Sequence, residues 1–391
     1  MTDERLRQAA SSIEPWIIET RRALHRIPEP GFAEFKTQQL IMRTLDALGI
    51  SYKAERTWVI GLIEGAHDGP TIALRADIDA LPVTEPEGDF SSTHPGFMHA
   101  CGHDAHTAML LGAARILSDM KDELHGNVKL LFQPAEESEG GAQPMIAAGA
   151  LKDPDVFRVY GIHIQPYMPT GMIETRAGAL NASTDTLHIT VRGKSTHGAY
   201  PDHGTDAVLT AAQIISALQT IVSRNISPLE SAVVSIGSIH GGTAPNIICG
   251  EVQMCGTLRA TDAAVRTRLK RRVTELAEHT ALAMGCTAQV DIEEGYIPLV
   301  NHTMPAERIL SVGARLLGEQ NVLRKSSPSM GGEDFAYFVE EVPGAFYHVG
   351  CLLPGATEYT PLHSPSFWLD ENCLRIGALM QAALVFDALP A

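Results

Sequence analysis

Apolar positions recur along the chain first at helical and then at strand spacing. Ile13, Ile17, Leu24 and Ile27 mark one face of a helix over residues 13–27, which Pro28-Glu-Pro-Gly31 stops. A second helix is predicted from about Phe35 to Leu48, with Gly49 placed to cap it. Two continuous apolar runs follow, Val59–Ile63 and Thr71–Ala76, divided by the turn Ala66-His-Asp-Gly-Pro70. Runs of this kind suit strands covered on both faces, and 127–132 and 156–162 read the same way. Between them Met109, Leu110, Ala113, Ala114 and Leu117 recur at helical spacing.

Residues 183–294 have a different pattern. Thr186–Arg192 alternates with period two, as a half-exposed strand does. A helix over 206–221, strands at 232–239 and 247–259, a helix near 261–284 and a strand at 288–292 complete the order β-α-β-β-α-β, the ferredoxin-like plan. The chain then returns to helix (305–317), short helix, strand (345–349) and a last helix that Asp370 is placed to cap. The expected architecture is an α/β domain with a mixed, helix-covered sheet from 1–182 and 295–391, interrupted by a smaller α+β domain at 183–294.

Length supports two domains, because 391 residues exceed what one core usually sustains. A hydrophobic share of 45% with 19% charged residues is that of an ordinary globular chain. The net charge of -16 carries no basic run, so neither nucleic acid nor an anionic membrane is an expected partner. The first ten residues lack a leader-like apolar core and no stretch reaches about 18 uninterrupted apolar residues, so a cytoplasmic protein is expected. The six cysteines show no short paired spacing, which fits neither a disulfide framework nor a zinc ribbon. Five read as buried thiols, and Cys101 is the exception.

Cys101 lies in His99-Ala-Cys-Gly-His103-Asp-Ala-His106, a thiol and three imidazoles just before the apolar helix. Cys101 and His103 flank Gly102 and can bend toward one cation. Asp77-Ile-Asp79 closes a predicted strand, where open α/β sheets collect ligands, and Asp77 is the candidate for orienting a ligating imidazole. Glu136 and Glu137 follow another strand; adjacent side chains in extended backbone diverge, so one can face a metal and its neighbour a water. A further strand delivers His163, and His363 lies in the loop before the final helix.

In order, the segments RADIDALP, MHACGHDAHTAMLLGAA, QPAEE, GIH, HGAYPDHGTDA, GGTAPN, GTLRA, SMGGEDFA and LHSPSF span residues 75–367 and resemble the aminoacylase and hippurate hydrolase branch of the dinuclear metallopeptidases. The resemblance implies a catalytic α/β domain with two divalent metals, zinc or manganese, and an inserted domain used as lid and dimer contact. Cys101, His103, Glu137, His163 and His363 fall on the metal ligands and Glu136 on the general base. His197 falls on a lid histidine that completes a partner subunit's site, so a homodimer or higher homo-oligomer is expected. Asn246 and Arg259 look like substrate contacts, and Gly331-Gly332 resembles the loop whose amides face the substrate carboxylate. Cys249 departs from the family, which more often has proline there.

The implied reaction is hydrolysis of the amide bond of an N-acyl-L-amino acid, giving a carboxylic acid and a free amino acid. A metallo-dipeptidase, carboxypeptidase or N-acetyl-diaminopimelate deacetylase is the alternative. A cysteine hydrolase built on Cys101 accounts for one loop only, and a silent metal-binding protein is at odds with a complete ligand set.

Overall fold

Two helices, α1 (Asp3–Ser12) and α2 (Glu14–His25), open the chain in a computed structural model that describes residues 2–389. Helix α3 (Phe35–Leu48) ends where the sequence places its cap: Gly49 is left-handed at φ 67°, and its N–H donates to the Leu45 and Asp46 carbonyls. Strands β1 (Ser51–Glu55), β2 (Trp58–Glu64) and β3 (His67–Asp77) follow. Helix α4 (His103–Asp119), β4 (His125–Gln133), β5 (Val156–Pro169) and β6 (Ile173–Thr175) complete this part.

The strands form an eight-stranded mixed sheet in the order β1-β2-β4-β3-β5, then Gly344–Leu352, β6 and Val322–Arg324. Its centre is parallel, with β3 between β4 and β5 and Gly344–Leu352 beside β5. This is why β3, β4 and β5 lack alternation: their central residues are buried on both faces. Helix α4 is buried almost all round, against α2 and the C-terminal helix Asn372–Ala388. Small residues allow that approach; a Cβ on Gly112 would meet Ile17 Cδ1 at 2.7 Å and Ala378 Cβ at 3.0 Å. Asp370 Oδ1 accepts from the Asn372 N–H at the start of the last helix.

The chain divides into two compact units, one of residues up to 178, 300–326 and from 337 onward, the other of 179–299 and 327–336. The second is an antiparallel sheet in the order Ala232–Gly241, Glu251–Ala260, Asp185–Arg192, Thr287–Glu294. Helices Ala207–Thr220 and Ala263–Ala283 connect its strands in the succession β-α-β-β-α-β. Asp206 and Asp262 cap them, each accepting two backbone N–H bonds. By length and composition alone Ala207–Asn225 passes for a membrane-crossing helix, yet Ala211, Ile214 and Leu218 are buried in this unit's own core.

The division differs from the 183–294 boundary expected from chain order. Residues 327–336 belong to the second unit because Ala182 N–H donates to Gly331 O and Ser329 N–H to Leu180 O. That places Gly331 and Gly332 in the smaller unit.

Candidate metal centre

The parallel strands end at one edge of the sheet, and the chain turns there through residues with lone pairs to offer. Gly102, at φ 82°, lets the segment after Cys101 enter α4 at once. A Cβ there would lie 2.3 Å from Ile164 Cδ1, so only glycine fits. Cys101 Sγ thereby comes within 3.4 Å of His163 Nε2. His163 lies within β5, which runs on to Pro169 instead of stopping at Ile162 as its pattern predicts. Its Nδ1 lies 2.6 Å from the Ile164 carbonyl, so Nδ1 carries the hydrogen and Nε2 keeps a free pair.

His103 is fixed from its other nitrogen. Asp79 Oδ1 accepts from its Nδ1 at 3.0 Å while Asp79 Oδ2 accepts from the Glu137 N–H at 3.0 Å, so one carboxylate aligns two donors. His363 Nε2 lies 3.0 Å from Glu137 Oε1, and the His363 N–H donates to Ala100 O, which ties its loop to the Cys101 segment. Sets of candidate ligand atoms lie within 4.8 Å of one another: Cys101, His103 and His163; Cys101, Glu137 and His363; His103, Glu136 and Glu137. All five residues expected as ligands, and Glu136, are therefore brought together.

Asp77 differs from expectation. Its Oδ1 pairs with His106 Nδ1 at 2.6 Å and its Oδ2 with Arg75 at 2.8 Å, so it does not hydrogen-bond a candidate ligand. His106 Nε2 in turn accepts the Ile164 N–H at 2.9 Å. Asp77 thus acts on the His163 segment through His106, and the carboxylate that orients a candidate ligand directly is Asp79. The motif does not disclose a buried group at the start of α4, where Asp104 pairs with Arg21 at 2.6 Å and His25 at 2.7 Å. A charged residue next to His103 at a helix start was the available signal.

Electrostatics tests the donor set. Burial and the charges of Glu137 and Glu136 hold the Cys101 thiol well above its ordinary pKa, and burial drives His163 well below its own. A neutral imidazole beside a protonated thiol is the opposite of a cysteine nucleophile's ion pair. Burial would lower His103, but the Asp77 charge and the bond to Asp79 outweigh it and push it up to about 10. Its Nε2 is buried without a hydrogen-bond partner, 3.8 Å from Asp77 Oδ2 and 3.9 Å from Glu137 Oε1. An orphaned nitrogen facing two carboxylates is a place for positive charge, and a divalent cation fits it.

The second unit carries the remaining residues. His197 and Asn246 are neighbours: Thr196–His197 pairs with Ile247–Ile248, and Gly198 N–H donates to Asn246 O. Exposed His197 accepts the Ala199 N–H at Nδ1. Arg259 is half-buried on the strand Glu251–Ala260 and makes no ion pair among the described residues. Gly331 N–H donates to Ser329 Oγ, so that amide is not free for a ligand as expected. Gly332 packs against Thr184, whose Cγ2 a Cβ would meet at 2.5 Å.

A mixed sheet whose strand ends gather sulfur, nitrogen and oxygen donors around buried carboxylates has the makings of a metal centre. The chain belongs to peptidase family M20/M25/M40, whose pattern it matches over residues 73–387. It is 38% identical to thermostable carboxypeptidase 2 of Saccharolobus solfataricus over 97% of each chain. To the N-acetyl-L-cysteine deacetylase of Bacillus subtilis it is 40% identical, over 93% of this chain and 86% of that one. Among solved structures, a dinuclear metal-binding family M20 peptidase from Bacillus subtilis superposes with TM-score 0.85 at 35% identity, covering 97% and 99% of the two chains.

Proposed function

We propose that the chain hydrolyses the amide bond of N-acyl-L-amino acids, releasing a carboxylic acid and a free amino acid. The observation that carries this is the convergence of Cys101, His103, Glu137, His163 and His363, with Glu136 beside them. These five would hold two divalent ions, zinc or manganese, since mixed S, N and O donors suit both. Bound there, the ions would acidify a water and polarise an acyl carbonyl.

The chain's own groups supply the rest. Glu136, 8% exposed, takes a proton from the attacking water and returns it to the leaving nitrogen, a role contributing about a hundred- to ten-thousandfold. Asp79 fixes the tautomer of His103, and the path Asp77–His106–Ile164 N–H holds the His163 segment. His197 or Asn246 donates to the developing oxyanion, with His197 acting on a second subunit's site in a homodimer. Arg259 and the Gly332 amide receive the substrate carboxylate, the Gly331 amide being held by Ser329 Oγ.

The N-acetyl-L-cysteine deacetylase relative supports an N-acyl amino acid as substrate, and the carboxypeptidase relative favours a second reading in which the acyl group is peptidyl. A panel of N-acetyl, N-benzoyl and dipeptide substrates, each beside its C-terminal amide, separates the two with zinc or manganese added. Faster hydrolysis of free carboxylates than of amides is expected. Equal rates would remove carboxylate recognition, and no turnover of any member would refute the reaction.

A further inference from the structure

The turn that carries Glu136 and Glu137 rests on a second loop. Ala135 is left-handed at φ 56°, a conformation costly for a residue with a Cβ unless its surroundings impose it. Within the turn, Gly140 N–H closes back on Ala135 O at 2.9 Å. From outside, the Ala135 N–H donates to Glu34 Oε1 at 2.9 Å.

Glu34 is fully buried, and its position shows why its carboxylate is available. It occupies the N-cap of α3, where an acidic side chain ordinarily satisfies the helix's first N–H groups. Those donors are already taken, because Glu29 accepts from Lys36 N–H, Thr37 N–H and the Thr37 hydroxyl. The Glu34 side chain instead turns toward the 134–141 turn. The two loops pack closely: a Cβ on Gly31 would fall 2.1 Å from Ser138 Oγ, 2.9 Å from Ala135 Cβ and 3.0 Å from Ala135 Cα. Glu29 O also accepts the Ala80 N–H, next to Asp79, so the same loop braces both carboxylate-bearing turns.

We propose that Glu34 is a positioning residue: its buried carboxyl grips the Ala135 N–H and holds the left-handed turn from which Glu136 and Glu137 diverge toward the site. The catalytic part of this rests on the reading of Glu136 as proton carrier. Burial, with the Asp79 charge adding to it and the Thr57 hydroxyl and Ala135 N–H opposing, pushes Glu34 up to about 7. A carboxyl kept at such a cost beneath a strained turn is consistent with a task there.

The test compares metal-loaded wild type, Glu34→Ala and Glu34→Gln by kcat, KM, metal content and amide hydrogen exchange of the peptide spanning 133–140. Glu34→Ala is expected to lower kcat about tenfold to a hundredfold with KM little changed, as for a misplaced reacting group. It should also speed exchange in 133–140. Glu34→Gln, whose amide oxygen can accept the same N–H, should restore most of both. Wild-type exchange and kcat in Glu34→Ala would overturn the proposal. If Glu34→Ala does not fold, exchange in wild type decides it: an Ala135 amide as unprotected as an exposed loop would overturn it equally. A wild type that turns over no N-acyl amino acid refutes the reaction, while exchange still reports on the Glu34–Ala135 bond.

Discussion

Asp77 and Asp79, two residues apart where β3 runs out, have different neighbours. Asp77 goes to His106 and Arg75, and Asp79 to His103 and the Glu137 amide. Sequence marks the pair as functional, but which aspartate meets which imidazole depends on how β3 and α4 pack, and that is not written in the motif. Asp79→Ala should therefore weaken metal binding about ten- to a hundredfold by removing a ligand's support; competition with a chelator measures it. Glu136→Gln should cut kcat by about a hundredfold or more at unchanged metal content, because it removes a proton carrier and not a ligand. Loss of metal in that variant would exchange the roles of Glu136 and Glu137. Glu34 adds a pH dependence of stability. Its pKa is raised from 4.5 to about 7 on folding, so its stabilising contribution is complete below pH 4.5 and is lost as pH rises through 7. Between pH 4.5 and 8 the stability of wild type relative to Glu34→Gln should fall by on the order of 3 kcal/mol, read from denaturant curves. A difference independent of pH would mean that Glu34 does not titrate in this range.

Among the elements, those with strong periodicity or sustained apolar runs were legible: α3 with its Gly49 cap, the central strands, and the β-α-β-β-α-β succession. Weak elements were not. Strand β1, Ser-Tyr-Lys-Ala-Glu, is largely exposed at the sheet edge, and β6 and Val322–Arg324 are three residues long, too short for a pattern. The apolar run predicts an end of β5 at Ile162 because His163 and Gln165 break it, although both continue the strand. What the sequence could not supply at this scale is the fit between Gly102 and Ile164. Alanine at 102 must take a positive φ and place its Cβ 2.3 Å from Ile164 Cδ1. Gly102→Ala should cost roughly 1–3 kcal/mol of stability, measured by denaturant unfolding, and metal affinity should fall with it. A variant as stable as wild type and with full metal affinity would show that α4 starts without help from this residue.

Across the whole molecule the candidate ligands come from positions 101, 103, 137, 163 and 363, with two hundred residues between the last two. Spacing within a motif identifies Cys101 and His103 as a pair, but only the order of strands in the sheet brings Glu137, His163 and His363 to them. Without the resemblance His363 reads as a loop histidine, and its left-handed φ of 64° and bond to Ala100 are visible only in the fold. Assembly is the remaining question at this scale. Tyr200, Val208, Leu209, Ile239 and Ile247 are all more than two-fifths exposed in the second unit, and His197 is exposed there too. The proposed homodimer would cover exposed apolar residues of this kind. A homodimer through this unit in which His197 acts on the partner's site makes a prediction that stability alone cannot mimic. Glu136→Gln and His197→Ala, each inactive alone, should recover up to about a quarter of wild-type activity per chain when mixed and allowed to exchange, because random pairing gives half heterodimers with one intact site in each. Light scattering checks the dimer, and a tagged subunit checks exchange. Exchange without recovered activity would confine His197 to its own subunit or remove it from the reaction.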